Sequence, residues 1–161
     1  NIMHFCPRLF SDATQLGEAQ WEWLEQQMQI PAEVRLICSS TQVIPNEKGM
    51  DEWGNYPKDR TRLLDLISNS NGYSIILSGN VHFAEISKMD WNDKELYEFT
   101  SSGLTHINKS YGLAPNRNRI GQPILELNFG VVELDWQKQE ISLQVMGMDS
   151  KKTELKIPLT Q

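Results

Sequence analysis

Asn80 and His82 stand two residues apart on the segment Ser78-Gly79-Asn80-Val81-His82-Phe83-Ala84-Glu85, and each carries an atom that can bind a cation. An amide oxygen suits a hard ion and an imidazole nitrogen a borderline one. The segment follows the apolar run Tyr73 to Leu77, so it is expected to be a loop leaving a buried strand, with Gly79 allowing a tight turn. The bland alternative is a structural loop whose histidine is satisfied by hydrogen bonds. Glu85 can hold His82 in its metal-binding tautomer or lie on the surface as a plain carboxylate. His106, at the end of Thr100-Ser101-Ser102-Gly103-Leu104-Thr105-His106, can protonate a leaving oxygen, orient a ligand, or be a backbone-satisfied histidine near a strand end. Gln42, after Ser39-Ser40-Thr41, can line a substrate site or simply finish a strand.

Elements able to position these groups are legible in the apolar spacing. Trp21, Leu24 and Met28 recur at helical intervals among Gln and Glu, which predicts a helix over 17–29 that Pro31 ends. Val34 to Cys38 is a short strand. Pro57 opens a second helix carrying Leu63, Leu64 and Ile67, and Asn69-Ser70-Asn71-Gly72 closes it. Strands are expected at 73–77, 96–100, 129–136, 141–148 and 155–159, with Gln137-Lys138-Gln139 as a hairpin turn. A β-α-β unit running into a β-meander gives a layered α/β sandwich. Trp21, Trp23 and Trp53 are expected to be packing residues; Arg117 and Arg119, in the Pro115 to Gly121 loop, can contact substrate, and a solvated loop is the expected reading.

Composition narrows the function classes. At 161 residues the chain is sized for one domain. Its net charge of −6 comes without a basic cluster, which argues against a nucleic-acid surface. No apolar run approaches the roughly 20 residues of a membrane span, and the first residues lack signal-peptide regions. The chain starts with Asn, as a processed or excised segment would. Cys6 and Cys38 are expected to be free thiols, since two cysteines make no disulfide framework. Asn108-Lys109-Ser110 is a glycosylation triplet that matters only in a secreted protein.

Several blocks in order carry a resemblance. Leu16-Gly17-Glu18-Ala19-Gln20-Trp21-Glu22-Trp23-Leu24, Val34 to Pro45, Trp53-Gly54-Asn55-Tyr56-Pro57 with Arg60 to Ile67, Gly79 to Glu85, Thr100 to His106 and Asn128-Phe129-Gly130 together resemble the carboxy-terminal half of a PhoD-like (alkaline phosphatase D) metallophosphoesterase, over about residues 8 to 148. The resemblance implies a metallophosphoesterase-like sandwich, with residues 1–161 as its carboxy-terminal part, two helices and a largely antiparallel late sheet. It implies metal-dependent hydrolysis of phosphate mono- or diesters, in a secretory, extracellular or periplasmic setting.

His82 and Asn80 are carried over as metal ligands and Glu85 as the group supporting them. Arg8, in Pro7-Arg8-Leu9-Phe10, becomes a bidentate clamp on phosphate oxygens, with Gln42 beside the substrate. His106 takes an acid–base role. The implied cofactor is a dinuclear or larger centre of calcium, iron or both, with zinc or manganese as alternatives, in which cations about 3.5–4 Å apart activate a water. Its remaining ligands are expected outside this chain, on an amino-terminal half or partner chain, so the fragment alone is expected to be inactive. The family has Asp where this chain has Cys6 and Asn80, and His where it has Lys48. The second reading is therefore a catalytically degenerate structural or interaction subunit of a larger assembly.

Overall fold

A computed structural model describes residues 14–159. The elements run α1 (Glu18–Gln29), β1 (Val34–Cys38), α2 (Pro57–Ser68), β2 (Tyr73–Ser78), β3 (Ala84–Trp91), β4 (Lys94–Ser101), the single turn α3 (Lys109–Gly112), β5 (Arg119–Ile124), β6 (Phe129–Asp135), β7 (Glu140–Met146) and β8 (Lys151–Pro158). A mixed five-stranded sheet has the order β1-β2-β4-β3-β5, and a three-stranded sheet the order β6-β7-β8. Strands β1, β2 and β4 run parallel, β3 runs antiparallel to β4 and β5, and the smaller sheet is antiparallel throughout. The fold is mixed α/β, as expected.

Alternation along β2 explains how the main sheet is covered on both faces. Ile76 packs with Trp21, Leu63, Leu64 and Ile67 of the two helices. Its neighbour Ile75 turns the other way and packs with Phe99, Ile141, Leu143, Val145 and Ile157. Successive strand side chains point to opposite faces, so one apolar run serves two cores. Helix α1 is held on α2 by Arg62, which lies 4.5 Å from the Trp21 ring and pairs with Glu25 at 2.7 Å. Trp21 meets Trp53 edge-on with centroids 6.3 Å apart. Trp23 departs from the packing expectation: it is 55% exposed.

Two strands escape the apolar pattern. In β3, Glu85 and Ser87 are as buried as Ile86, which erases the polar–apolar contrast that marks a half-exposed strand. Its return into β4 is a two-residue turn in which Asn92 and Asp93 both take positive φ, 49° and 62°, the geometry that fits hairpin twist. In β5, Gly121 and Pro123 break the strand signal, and the strand sits at the sheet edge, where both are tolerated. Before β2 the chain can carry only glycine: Gly72 has φ +78°, and a Cβ there would lie 2.2 Å from the Ala32 carbonyl oxygen.

Candidate functional site

The parallel strands β1, β2 and β4 end on the same side of the main sheet, and their exit loops carry Gln42, His82 and His106. Crevices at the carboxyl ends of parallel strands are the usual ligand sites of open α/β sheets. The β2 exit loop turns differently from the expectation. Gly79 keeps an ordinary conformation, and the turn is made by Asn80 (φ 69°) and His82 (φ 59°). Left-handed backbone is uncommon outside glycine, with Asn and His among the residues that tolerate it best, and such outliers gather at functional loops.

Backbone and side-chain hydrogen bonds fasten this loop to the β4 exit. The His82 amide donates to Ser102 Oγ at 2.9 Å. The Asn108 amide donates to the His82 carbonyl at 2.9 Å, and the Ser102 amide to the Phe83 carbonyl at 3.2 Å. Gly103 at the base of the second loop sits against Asn128, whose Nδ2 would lie 2.2 Å from an added Cβ. Asn128 in turn accepts from Ser101 Oγ at 2.9 Å. This bracing brings His82 and His106 into edge-on contact, ring centroids 4.0 Å apart at 62°. Thr105 Oγ1 lies 3.1 Å from His106 Nδ1. Asn80 and His106 are exposed and His82 is half-buried.

Gln42 and Glu85 belong to a different constellation, inside the protein. Glu85 is 1% exposed. Its carboxylate accepts from Gln42 Nε2 at 2.7 Å, from Asn116 Nδ2 at 3.1 Å and from Arg119 Nε at 2.6 Å, and it pairs with the Lys48 ammonium. Gln42 is saturated as well, donating to Thr100 Oγ1 at 2.9 Å and accepting from Lys48 Nζ at 2.7 Å. Lys48 also stands 5.0 Å from the centre of the Phe83 ring. The hydrogen-bond partners of Glu85 among the described residues do not include His82. Arg119, expected on a solvated loop, is 15% exposed in its side chain and is part of this cluster, while Arg117 matches expectation as an exposed partner of Glu47 at 2.8 Å. Burial would raise the Glu85 carboxyl, but Lys48 and Arg119 reverse this and hold it below its ordinary value. Burial pulls the Lys48 ammonium down from its ordinary value against the attraction of Glu85.

Beside this cluster lies Glu98, 0% exposed, accepting the Val43 amide at 3.0 Å and the Ile44 amide at 2.5 Å. Arg60 holds the carbonyls of the same two residues at 2.6 and 2.7 Å, so the chain after β1 is gripped from both sides. Burial pushes the Glu98 carboxyl up to about 7. Its folded pKa is therefore above its unfolded one. Between pH about 4.5 and about 7 the folded state holds more proton, and stability falls as pH rises through that window, by about 3 kcal/mol at 1.36 kcal/mol per pKa unit. The expected result is that Glu98→Gln flattens this part of the stability curve, read as the wild-type minus variant difference in urea midpoints across pH 4.5–7.5. An unchanged difference would show that Glu98 titrates elsewhere.

The PhoD-like phosphatase family model matches residues 3–145. The chain belongs to that family. Among curated proteins none matches the chain. A phosphatase-type function follows in general from this membership, and the family is generally metal-dependent. Among the described residues, no three His, Cys, Asp or Glu side chains gather where one ion could sit. The buried carboxylates of Glu85 and Glu98 are already committed to Lys48, Arg119 and backbone amides. What converges is imidazole, from His82 and His106. Two imidazoles alone complete no metal site, since structural zinc takes four ligands and calcium 6–8 oxygens.

Arg8 and Cys6 lie outside the described residues, and Cys38 is a free, exposed thiol. No helix among the described residues is long and apolar enough to cross a membrane. Lys48, Arg119, Asn116 and Glu98 carry the electrostatics under the loops without having been named as site residues. The only sequence signal for Lys48 was its place opposite a family histidine.

Proposed function

We propose that this chain is the carboxy-terminal portion of a metal-dependent phosphatase acting on phosphate mono- or diesters, with its reacting end at the carboxyl ends of β1, β2 and β4. The single observation that carries this is the meeting of His82 and His106 on two mutually fastened loops in a chain of the PhoD-like phosphatase family. In this reading His82 and Asn80 give donors to a cation whose other ligands come from residues beyond those described, on an amino-terminal half or a partner chain. Arg8 clamps the phosphate, and His106 shares the site. Gln42 and Glu85 serve from below: their cluster with Lys48 fixes the floor on which the β2 exit loop rests.

The non-catalytic reading also has an observation in its favour. A fully buried Lys48 neutralises Glu85, so this part of the interior carries its own cation. Asn80 separates the two readings. Asn and Asp both tolerate the left-handed backbone found there, so Asn80→Asp changes charge with little strain. A carboxylate is the stronger ligand for a hard cation. In the complete protein, Asn80→Asp is expected to raise metal occupancy and to speed hydrolysis of an aryl phosphate ester. High wild-type turnover that falls in the variant makes the amide a working ligand. No hydrolysis by either form, with calcium, iron, zinc or manganese supplied, removes the phosphatase reading in favour of the structural one.

A further inference from the structure

We infer that the cavity between α1 and the end of β1 takes the organic group of the phosphoester, and that this group is neutral, apolar and the size of one aromatic ring. This rests on the phosphatase reading and adds to it the class of substrate.

The cavity adjoins the proposed reacting end. Ser39 and Ser40, the first residues after β1, form one wall of it. The Ser40 carbonyl oxygen lies 3.8 Å, and Ser102 Cβ 3.5 Å, from where a Cβ on Gly79 would stand, so the exits of β1, β2 and β4 meet at that glycine. Ser102 is the residue whose hydroxyl receives the His82 amide, at 2.9 Å. The serine wall is held in place as well. The Ser39 amide donates to the Leu77 carbonyl at 2.9 Å, and Ser39 Oγ accepts from Trp53 Nε1 at 2.9 Å while donating to the Thr41 carbonyl at 2.7 Å. An ester whose phosphate sits at these loops has its organic group beside a fixed cavity.

The lining sets what is accepted. Trp23 and Leu24 of α1, Ile37 of β1 and Leu63 of α2 supply apolar walls, and none of the described residues lining the cavity is charged. A charged group that entered would lose its water without gaining a partner, which keeps the phosphate itself outside. The volume is about 180 Å³, and an apolar protein cavity of about 150 Å³ holds benzene. The exposure of Trp23 also finds a reason. It is 55% exposed while Trp21 on the same helix is 1% exposed, and it lines the cavity together with Gln20 and Leu24, at the i, i+3, i+4 spacing of one helix side. A large ring there offers its face to a ligand. The competing explanation is a packing gap beside a surface helix, which would bind nothing.

Both arms of the test use the complete protein, and the first needs no turnover. Cys38 is an exposed free thiol that lines the cavity, so an occupant slows its alkylation. Phenol is expected to slow iodoacetamide labelling of Cys38 saturably, read by mass spectrometry of the peptide that carries it. Ethanol should not, and Trp23→Ala should lose most of the protection. The second arm compares benzyl phosphate with ethyl phosphate, whose leaving groups are both alkoxides. Trp23→Ala should lower kcat/KM for benzyl phosphate at least about tenfold and leave ethyl phosphate within about twofold of wild type, the scale on which a hydrophobic pocket discriminates. Its urea midpoint should stay near wild type, since the ring is largely in water already. Absence of phenol protection, equal protection in Trp23→Ala, or an equal loss for both esters overturns the inference. The phosphatase reading fails separately: phenol protection in a protein that hydrolyses no phosphoester removes the phosphatase and leaves a ring-binding cavity. Hydrolysis whose benzyl preference ignores Trp23→Ala removes the cavity from the reaction and keeps the phosphatase.

Discussion

Glu85→Ala is expected to lower the unfolding free energy by about 3–5 kcal/mol, the usual loss when one partner of a buried ion pair is removed. Its side chain is 0% exposed, as is that of Lys48, and Arg119 beside it is 15% exposed. Removing the carboxylate leaves two cations facing each other with no anion between them, and it takes one acceptor each from Gln42 and Asn116, which donate to it at 2.7 and 3.1 Å. Equilibrium urea unfolding measures the effect. A loss under about 1 kcal/mol would mean that water reaches the cluster and screens it. Coupling between Lys48→Met and Glu85→Gln, taken from a double-mutant cycle, should itself exceed 1 kcal/mol if the two act as a pair.

The second large effect is expected at His82. In the complete protein, His82→Asn should reduce phosphoester turnover at least about 100-fold, because even the partners that orient metal ligands cost 10–100-fold when lost and a ligand costs no less. Metal content should fall with it, and the urea midpoint should stay near wild type, since the ring is half-buried and the left-handed backbone is kept. Trp136→Ala, on the hairpin at the far end of the smaller sheet, is the control, with Trp136 49% exposed. Turnover retained in His82→Asn would return His82 to a purely structural place.

What the sequence disclosed, and what it withheld, follows from how burial relates to residue type. Helices α1 and α2 and strands β1, β2, β6 and β7 were legible within a few residues, because their apolar side chains repeat with the period of the element. The hairpin after β6 spans residues 136–139, close to the expected 137–139. Strand β3 was hidden because charge is buried there: Glu85 behaves as a core residue only once Lys48, from a loop 37 positions earlier, is beside it. No local pattern reports a partner at that separation. The Asn92-Asp93 turn was a usable local sign, since both residues tolerate positive φ. At the site, His82 and His106 were both visible as histidines near strand ends. Their contact depends on β4 lying beside β2 with β3 beyond it, an order that spacing along the chain does not contain.

That order also dictates a sequence of events in time. The β3–β4 hairpin closes over two residues, Asn92 and Asp93, and such hairpins form in roughly 1–10 μs. Joining β2 to β1 requires the whole passage through residues 39–72, including α2, to fold back first, and long closures give up chain entropy before any contact compensates for it. Glu85 therefore arrives early, on a hairpin still in water, while Lys48 arrives late, on a loop that β1 and α2 must carry into place. The charged cluster is therefore expected to close when the parallel strands dock, which predicts that Glu85→Gln mainly speeds unfolding and leaves the folding rate near wild type.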